Sequence, residues 1–309
     1  MSSGEKMNNK SIPVLAVTIV RNIKWLYKLV ESIDYPVDNL VIWNNNGKGE
    51  LTKKLDKLVK NGTTHDYIKN IHVCHLPSNI GLGGTWNMTI KCYMNAPYWI
   101  IANDDISFGP GFLQEMNEAA QDEEIGLVHG FEGSYQCGSW SLFLIKDWLV
   151  QKVGLFDENF YPLYCEDVDY LIRMRRLEAD GEGVQRILNL DSTYYHGDKT
   201  GKPPKFKSPD QKTTDKTDPI WEDLEDHYRD GGQQTTKGDE ELQNKFYEVH
   251  HTNWEYMNEK WGKEWKHEWC FGRPDLAAPV YFAPFDELKI PIDYTKYDLK
   301  FNRSKHLGF

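Results

Sequence analysis

In its first third the chain alternates short unbroken apolar runs with stretches in which apolar residues recur every third or fourth position. "IPVLAVTIV" (residues 12–20) is apolar throughout and rich in β-branched residues, the pattern of a strand covered on both faces. "IKWLYKLVESI" (23–33) sets Trp25, Leu26, Leu29, Val30 and Ile33 at helical spacing. The rhythm continues: "NLVIWNNNGKG" (39–49) predicts a second strand running into a turn, and "LTKKLDKLVKNG" (51–62) a helix closed by glycine. "KNIHVCHL" (69–76) predicts a third strand, "GGTWNMTIKCYMNA" (83–96) a third helix and "YWIIAND" (98–104) a fourth strand. Strands alternating with helices of this length predict an α/β fold, a mostly parallel sheet with helices on both faces. Ligands in such sheets sit beyond the carboxyl ends of the strands. Arg21-Asn22, Asn44-Asn45-Asn46-Gly47 and Asn103-Asp104-Asp105 all fall at those ends, so three polar clusters are expected on one rim.

After Lys202 the periodicity stops. "GKPPKFKSPDQKTTDKTDP" (201–219) is rich in Pro, Lys, Thr and Asp and reads as a mobile loop or linker. A helix is expected across 239–262, stopped at Gly262, and the proline-punctuated, aromatic-rich remainder is expected to wrap over the main body. The predicted organisation is therefore a main domain over 1–202, a polar segment over 203–238, and a helical and irregular C-terminal extension over 239–309.

Composition narrows the functional classes. With 309 residues and 39% hydrophobic content the chain can bury one large core, or a core and a smaller lobe. A formal net charge of −11 argues against partners held by charge alone, such as nucleic acid or anionic lipid, and favours cations. The five cysteines lie far apart with no CxxC pair, which fits a reducing compartment. "MSSGEKMNNKS" has no apolar core of signal-peptide length, and no later run reaches the roughly 20 residues of a membrane span, so a cytoplasmic location is expected.

Four clusters could carry chemistry. Asp104 and Asp105 either cap the turn before "GPGF" or hold a divalent cation through oxygen ligands. The glycines of "SNIGLGGTWNMT" (78–89) precede a helix, where they form either a tight loop or a cradle of N–H groups for phosphate; they match neither GxGxxG nor a P-loop. In "GLFDENFYPLYCEDVDYLIRMRRLEADG" (154–181), Glu166, Asp167 and Asp169 stand at the start of a helix that welcomes negative charge. Capping explains one of the three; another could act as general base toward a hydroxyl. His196 of "STYYHGDKTGK" (192–202) is a surface residue or, if it faces Asp105, the nitrogen of a mixed site suited to manganese. The tryptophans 86 and 148 read as core.

The ordered set "TIVRN", "VIWNNNGKG", "NIGLGGTWN", "WIIANDDI", "GLFDENFYPLYCEDVDYLIRMRR" and "YYHGDKTG" resembles family 2 glycosyltransferases of GT-A fold over about 12–202, in particular the rhamnosyl- and galactofuranosyltransferase-like branch. The resemblance implies a Rossmann-like sheet, a nucleotide-diphosphate sugar donor, a glycan acceptor, Mn2+ or Mg2+, and inversion at the anomeric carbon. It makes Asn103-Asp104-Asp105 the counterpart of the family's Asp-x-Asp motif, with Asp105 a metal ligand and His196 a second contact for metal or diphosphate. Asp167 resembles the catalytic base, with Glu166 as the alternative. The donor would be bound by Val20, Arg21 and Asn22 after the first strand, by Asn44 and Asn45 after the second, and by Asn103 and Asp104. Asn79, Gly81, Gly84 and Asn87 of the glycine segment and Trp140 beside the donor sugar complete the implied set. Asn44 stands where the family has Asp, which leaves the nucleobase open among uridine, thymidine and guanosine. Two rivals use the same features: a nucleotidyltransferase, and a carbohydrate-binding protein of this fold without catalysis.

Overall fold

The computed structural model describes residues 11–20, 23–46, 49–60, 65–131, 140–179, 187–196 and 240–261. The described strands form one eight-stranded sheet, in the order β3-β2-β1-β4-β7-β6-β8-β5. They are β1 (Leu15–Ile19), β2 (Val37–Asn44), β3 (Ile68–His75), β4 (Tyr98–Asn103), β5 (Ile106–Phe108), β6 (Leu127–Phe131), β7 (Leu142–Lys146) and β8 (Ile187–His196). The helices are α1 (Ile23–Glu31), α2 (Glu50–Lys60), α3 (Leu82–Cys92), α4 (Phe112–Ala119), α5 (Asp147–Val153), α6 (Glu166–Ala179) and α7 (Glu240–Trp261). The mostly parallel sheet flanked by helices expected from the apolar rhythm is the one observed, and its first four strands and three helices fall on the predicted stretches.

Every residue of β1 and of β7 is buried, because side chains alternate between two covered faces. Leu15, Val17 and Ile19 of β1, Leu40 and Ile42 of β2, Ile100 of β4 and Leu144 of β7 meet α1, α2 and α4 on one face. On the other, Ala16, Val41, Trp43, Trp99, Ile101, Phe143 and Ile145 meet α3, α5 and α6. A third, smaller cluster joins α6 to α7: Phe160, Cys165, Val168 and Ile172 pack on Met257 and Trp261.

Parallel register aligns the strand ends. Ile19 pairs with Asn44, Asn44 with His75, and Thr18 with Asn103, so the polar residues that follow β1, β2 and β4 share one rim. Simple strand–helix alternation does not predict β7, which runs antiparallel to both β4 and β6. Only residues 132–141 lie between β6 and β7, fewer than the dozen or so that a parallel crossover needs, and a connection of that length suits antiparallel neighbours. The reversal matters for function, because it brings the start of β7, with Trp140 just before it, to the carboxyl rim.

Candidate active site

The rim after β2 is built from amides. Asn45 donates through Nδ2 to Asn79 Oδ1 at 2.9 Å and to the Gly81 carbonyl at 3.3 Å, and accepts from the Ile80 N–H at 2.8 Å. Asn79 Oδ1 also accepts from the Gly81 N–H at 2.8 Å. Asn44 is fully buried; its Nδ2 donates to Thr52 Oγ1 at 2.9 Å and to His75 Nδ1 at 2.8 Å, while His75 Nε2 donates to Asp56 at 3.0 Å. Asn46 Nδ2 bonds the Val20 carbonyl at 3.1 Å, tying the ends of β1 and β2 together. Arg21 and Asn22, the other expected donor contacts here, lie outside the described residues.

Gly81 has φ +85°, a conformation that disfavours side chains. A Cβ there would stand 3.2 Å from the Pro162 carbonyl oxygen and from Tyr161. The Leu82 N–H donates to that same carbonyl at 2.7 Å. The N–H groups of Ile80, Gly81 and Leu82 are thus all held by protein oxygens, and of the two readings of the glycine segment the hydrogen bonds favour the tight loop. Gly84 lies against Ile80, and Asn87 binds the Phe156 backbone through both ends of its amide, at 2.8 and 2.9 Å. These residues brace α3 against the segment leading to α6.

The glycine loop therefore delivers one helix start to another. Gly83 stands next to Glu166, with 3.7 Å between an added Cβ and the Glu166 Cβ. Before α6 the backbone passes through two consecutive left-handed non-glycine residues, Tyr164 at φ 77° and Cys165 at φ 74°, a conformation that costs of order 1 kcal/mol or more each and persists only where the surroundings impose it. The three acids of the first turn then separate. Asp167 is partly exposed, and its Oδ1 accepts from the Val168 N–H at 2.8 Å. Burial nevertheless raises its pKa, with backbone hydrogen bonds opposing and the Asp169 charge reinforcing the shift. Glu166 is 3% exposed, its Oε2 has no hydrogen-bond partner among the described residues, and burial followed by the charge of Asp167 lifts it well above the usual carboxylate range. Asp169 is fully buried; burial pushes its pKa up, but Lys260 and Arg173 together outweigh it and hold the group ionised.

On the opposite side of the rim, Asn103 ends β4 with its N–H bonded to the Ser141 carbonyl at 2.8 Å. Asp104 is partly exposed and Asp105 is 8% exposed, in the turn between β4 and β5. The first pair of the β5–β8 ladder sets Ile106 opposite His196, so the two expected metal contacts come from backbone positions one residue off register. Among the described residues no three His, Cys, Asp or Glu side chains form a preassembled metal cluster. Asp104 and Asp105 bring carboxylate oxygens to this turn, and carboxylate oxygen together with the histidine nitrogen that the sequence offers is a donor set that fits a hard divalent ion taking further oxygens from a bound diphosphate.

Trp140 is 8% exposed and stacks with Trp86 at 6.5 Å, edge-on to Phe143 and His129. It belongs to the core beneath the rim, with an indole N–H that has no partner among the described residues. The residues the sequence reading missed are on α7. Asn253, Tyr256, Lys260 and Trp261 reach the loop before α6 and its first turn, and no local spacing links them to acids about 90 positions earlier.

Residues 14–175 match the family described as Glycosyl transferase family 2. A galactofuranosyl glycosyltransferase of Leishmania donovani is 23% identical across 60% of this chain, which spans 56% of that relative's length. Among solved structures, S. aureus TarS 1-349 is similar at TM-score 0.45 and 14% identity over 60% of each chain. GalNAc-T7, solved with UDP, GalNAc and Mn2+, is similar at TM-score 0.49 and 12% identity over 61% of this chain and 44% of that one.

Proposed function

Since the chain belongs to glycosyl transferase family 2, we propose that it moves a sugar from a nucleotide-diphosphate donor to a hydroxyl of a glycan acceptor, with inversion at the anomeric carbon and Asp167 as the base. The observation that carries this reading is the division of labour in the first turn of α6. Asp167 combines partial exposure with a raised pKa, the two properties a general base needs: access to the hydroxyl and appetite for its proton. Glu166 lacks the access. Its buried, unpartnered carboxyl fits a neutral acid that donates a hydrogen bond within the closed site.

The acceptor oxygen attacks the anomeric carbon as its proton passes to Asp167; the bond from that carbon to the donor phosphate breaks, and the electron pair leaves on the diphosphate. Direct displacement of this kind inverts the anomeric centre. Asp105 and His196, with Asp104 alongside, would hold a divalent ion, which when bound supplies positive charge against the departing diphosphate. Asn45, Asn79 and the Val20 carbonyl shape the floor on which the nucleotide would lie. A nucleotide-activated galactofuranose heads the list of donors to try, from the name carried by the L. donovani relative.

The test is a thermal-shift screen against uridine, thymidine and guanosine diphosphates and their sugars, each with and without Mn2+. A shift of several degrees that needs both nucleotide and metal is expected. A cooperatively melting protein that no nucleotide shifts would sink the proposal and favour the non-catalytic binding protein.

A further inference from the structure

A buried polar network beneath α6 has no part in the reaction as written above. Lys260 of α7 is 1% exposed, and its ammonium lies 2.9 Å from Asp157 Oδ2 and also bonds Asp169 Oδ1. Asp169 is further held by Arg173 Nε at 3.0 Å and by the Trp261 indole N–H at 2.8 Å. Tyr256 donates its hydroxyl to Asp157 at 2.9 Å. One turn earlier on α7, Asn253 Nδ2 donates to the carbonyls of Leu163 at 2.8 Å and Tyr164 at 3.2 Å. Four residues of one helix thus grip a single segment, from Asp157 to Asp169.

That segment needs outside support. Its two left-handed residues, Tyr164 and Cys165, directly precede Glu166, and such a conformation survives only when neighbours over-determine it. Asn253 supplies two of the bonds that do so, on the carbonyls at the start of the kink. Charge balance gives Lys260 a separate task. Asp157 and Asp169 are two buried carboxylates offset by two cations, Lys260 and Arg173, and burying a charge without its counterpart is costly.

The geometry points to α7 as the positioning element of the α6 carboxylates, with Lys260 at its centre: it holds the 161–169 turn so that Asp167 stays partly exposed and Glu166 stays enclosed. This inference rests on the glycosyl-transfer reading for its kinetic consequence, but the positioning itself does not. Lys260 also acts by charge. The groups facing this turn are Glu166, Asp169 and Arg173 of α6, Asp157 of the preceding loop, and Lys260 and Tyr256 of α7. Asp169 retains its ion pair to Arg173 at 3.0 Å when Lys260 is replaced, and its charge, now less offset, is expected to leave Asp167 harder to deprotonate.

The experiment compares the full chain with Asn253→Ala, Lys260→Met and Trp261→Phe. Transfer kinetics, calorimetric affinity for uridine diphosphate with Mn2+, and hydrogen exchange over 161–169 are measured on each. The expected result is faster exchange over 161–169 in all three, and a fall in kcat of about tenfold or more with nucleotide affinity within about twofold of wild type. In Lys260→Met alone, the acid limb of the pH–rate profile moves up by about one unit, because Asn253→Ala and Trp261→Phe leave every charge in place. Unchanged exchange over 161–169, or kcat within about twofold with an unmoved limb, would overturn the inference. If Lys260→Met does not fold, the two neutral variants decide the matter through exchange and kcat. If the wild type transfers no sugar, the functional reading fails by itself, while exchange and a 13C-carboxyl titration of Asp167 still test the positioning role.

Discussion

Glu166, Asp167 and Asp169 lie within four consecutive positions, yet burial and partners send each to a different protonation behaviour. Asp167→Asn keeps the shape and the Val168 cap but cannot take a proton, so kcat should fall by about 10²-fold or more with nucleotide affinity unchanged, as read by steady-state kinetics beside calorimetry. Near-normal turnover would remove Asp167 from the mechanism. Glu166 makes a prediction about stability. Its folded pKa lies well above the ordinary value of 4.5. The stability its protonation contributes is complete below that ordinary value and is lost as pH rises through the folded value. Glu166→Gln abolishes the titration, so the variant should melt at the same temperature or higher, by up to a few degrees, with the gap widening as pH rises above about 4.5. A melting-temperature difference independent of pH would show that Glu166 is not held neutral. The acid pair itself was legible from "CEDVD"; that Glu166 is the one enclosed, beside Gly83, is set by a neighbour more than eighty positions away that no spacing reveals.

At the scale of elements, α7 shows how a distant helix secures a local turn. Met257 is fully buried between α6 and the loop before it, in the cluster that also covers Cys165. Met257→Ala should cost about 2–5 kcal/mol in urea unfolding. Thiol labelling gives the local test: Cys165 is buried, whereas Cys74 is half-buried and Cys92 exposed. The variant should speed modification of Cys165 while leaving the rates at Cys74 and Cys92 unchanged. Equal acceleration at all three would mean global loosening rather than release of α7. A helix over this stretch was readable from the sequence, but its docking face was not. Its tryptophans and aromatics recur too evenly to single out one side, and the deciding residues, Asn253 and Lys260, are polar.

For the whole molecule, the net charge of −11 and the convergence of strand ends on one rim together favour a cation-assisted site. Ligand binding to the folded state stabilises it by RT ln(1 + [L]/Kd), so the melting temperature rises with the logarithm of affinity. The Mn2+-dependent part of the nucleotide-induced shift should therefore disappear in Asp105→Ala, while the unliganded melting temperature stays within about 2 °C of wild type. A full shift in that variant would move the metal elsewhere. No described helix is long and apolar enough to cross a membrane. The amino-acid sequence by itself determined the first four strands, the first three helices and the rim on which polar residues gather, because periods of 2.0 and 3.6 are properties of neighbouring residues and the parallel part of the sheet follows from their alternation. It also marked Asp105 and Asp167, since strand ends and helix starts are local features. Only the tertiary structure decided that β7 turns antiparallel and brings Trp140 to the rim, and that Asn44 faces Thr52 and His75. It likewise decided that Lys260 crosses more than ninety residues of chain to reach Asp169. Such pairings depend on which surfaces meet when the core closes, and burial, which sets both their strength and the protonation of the acids they hold, exists only once it has.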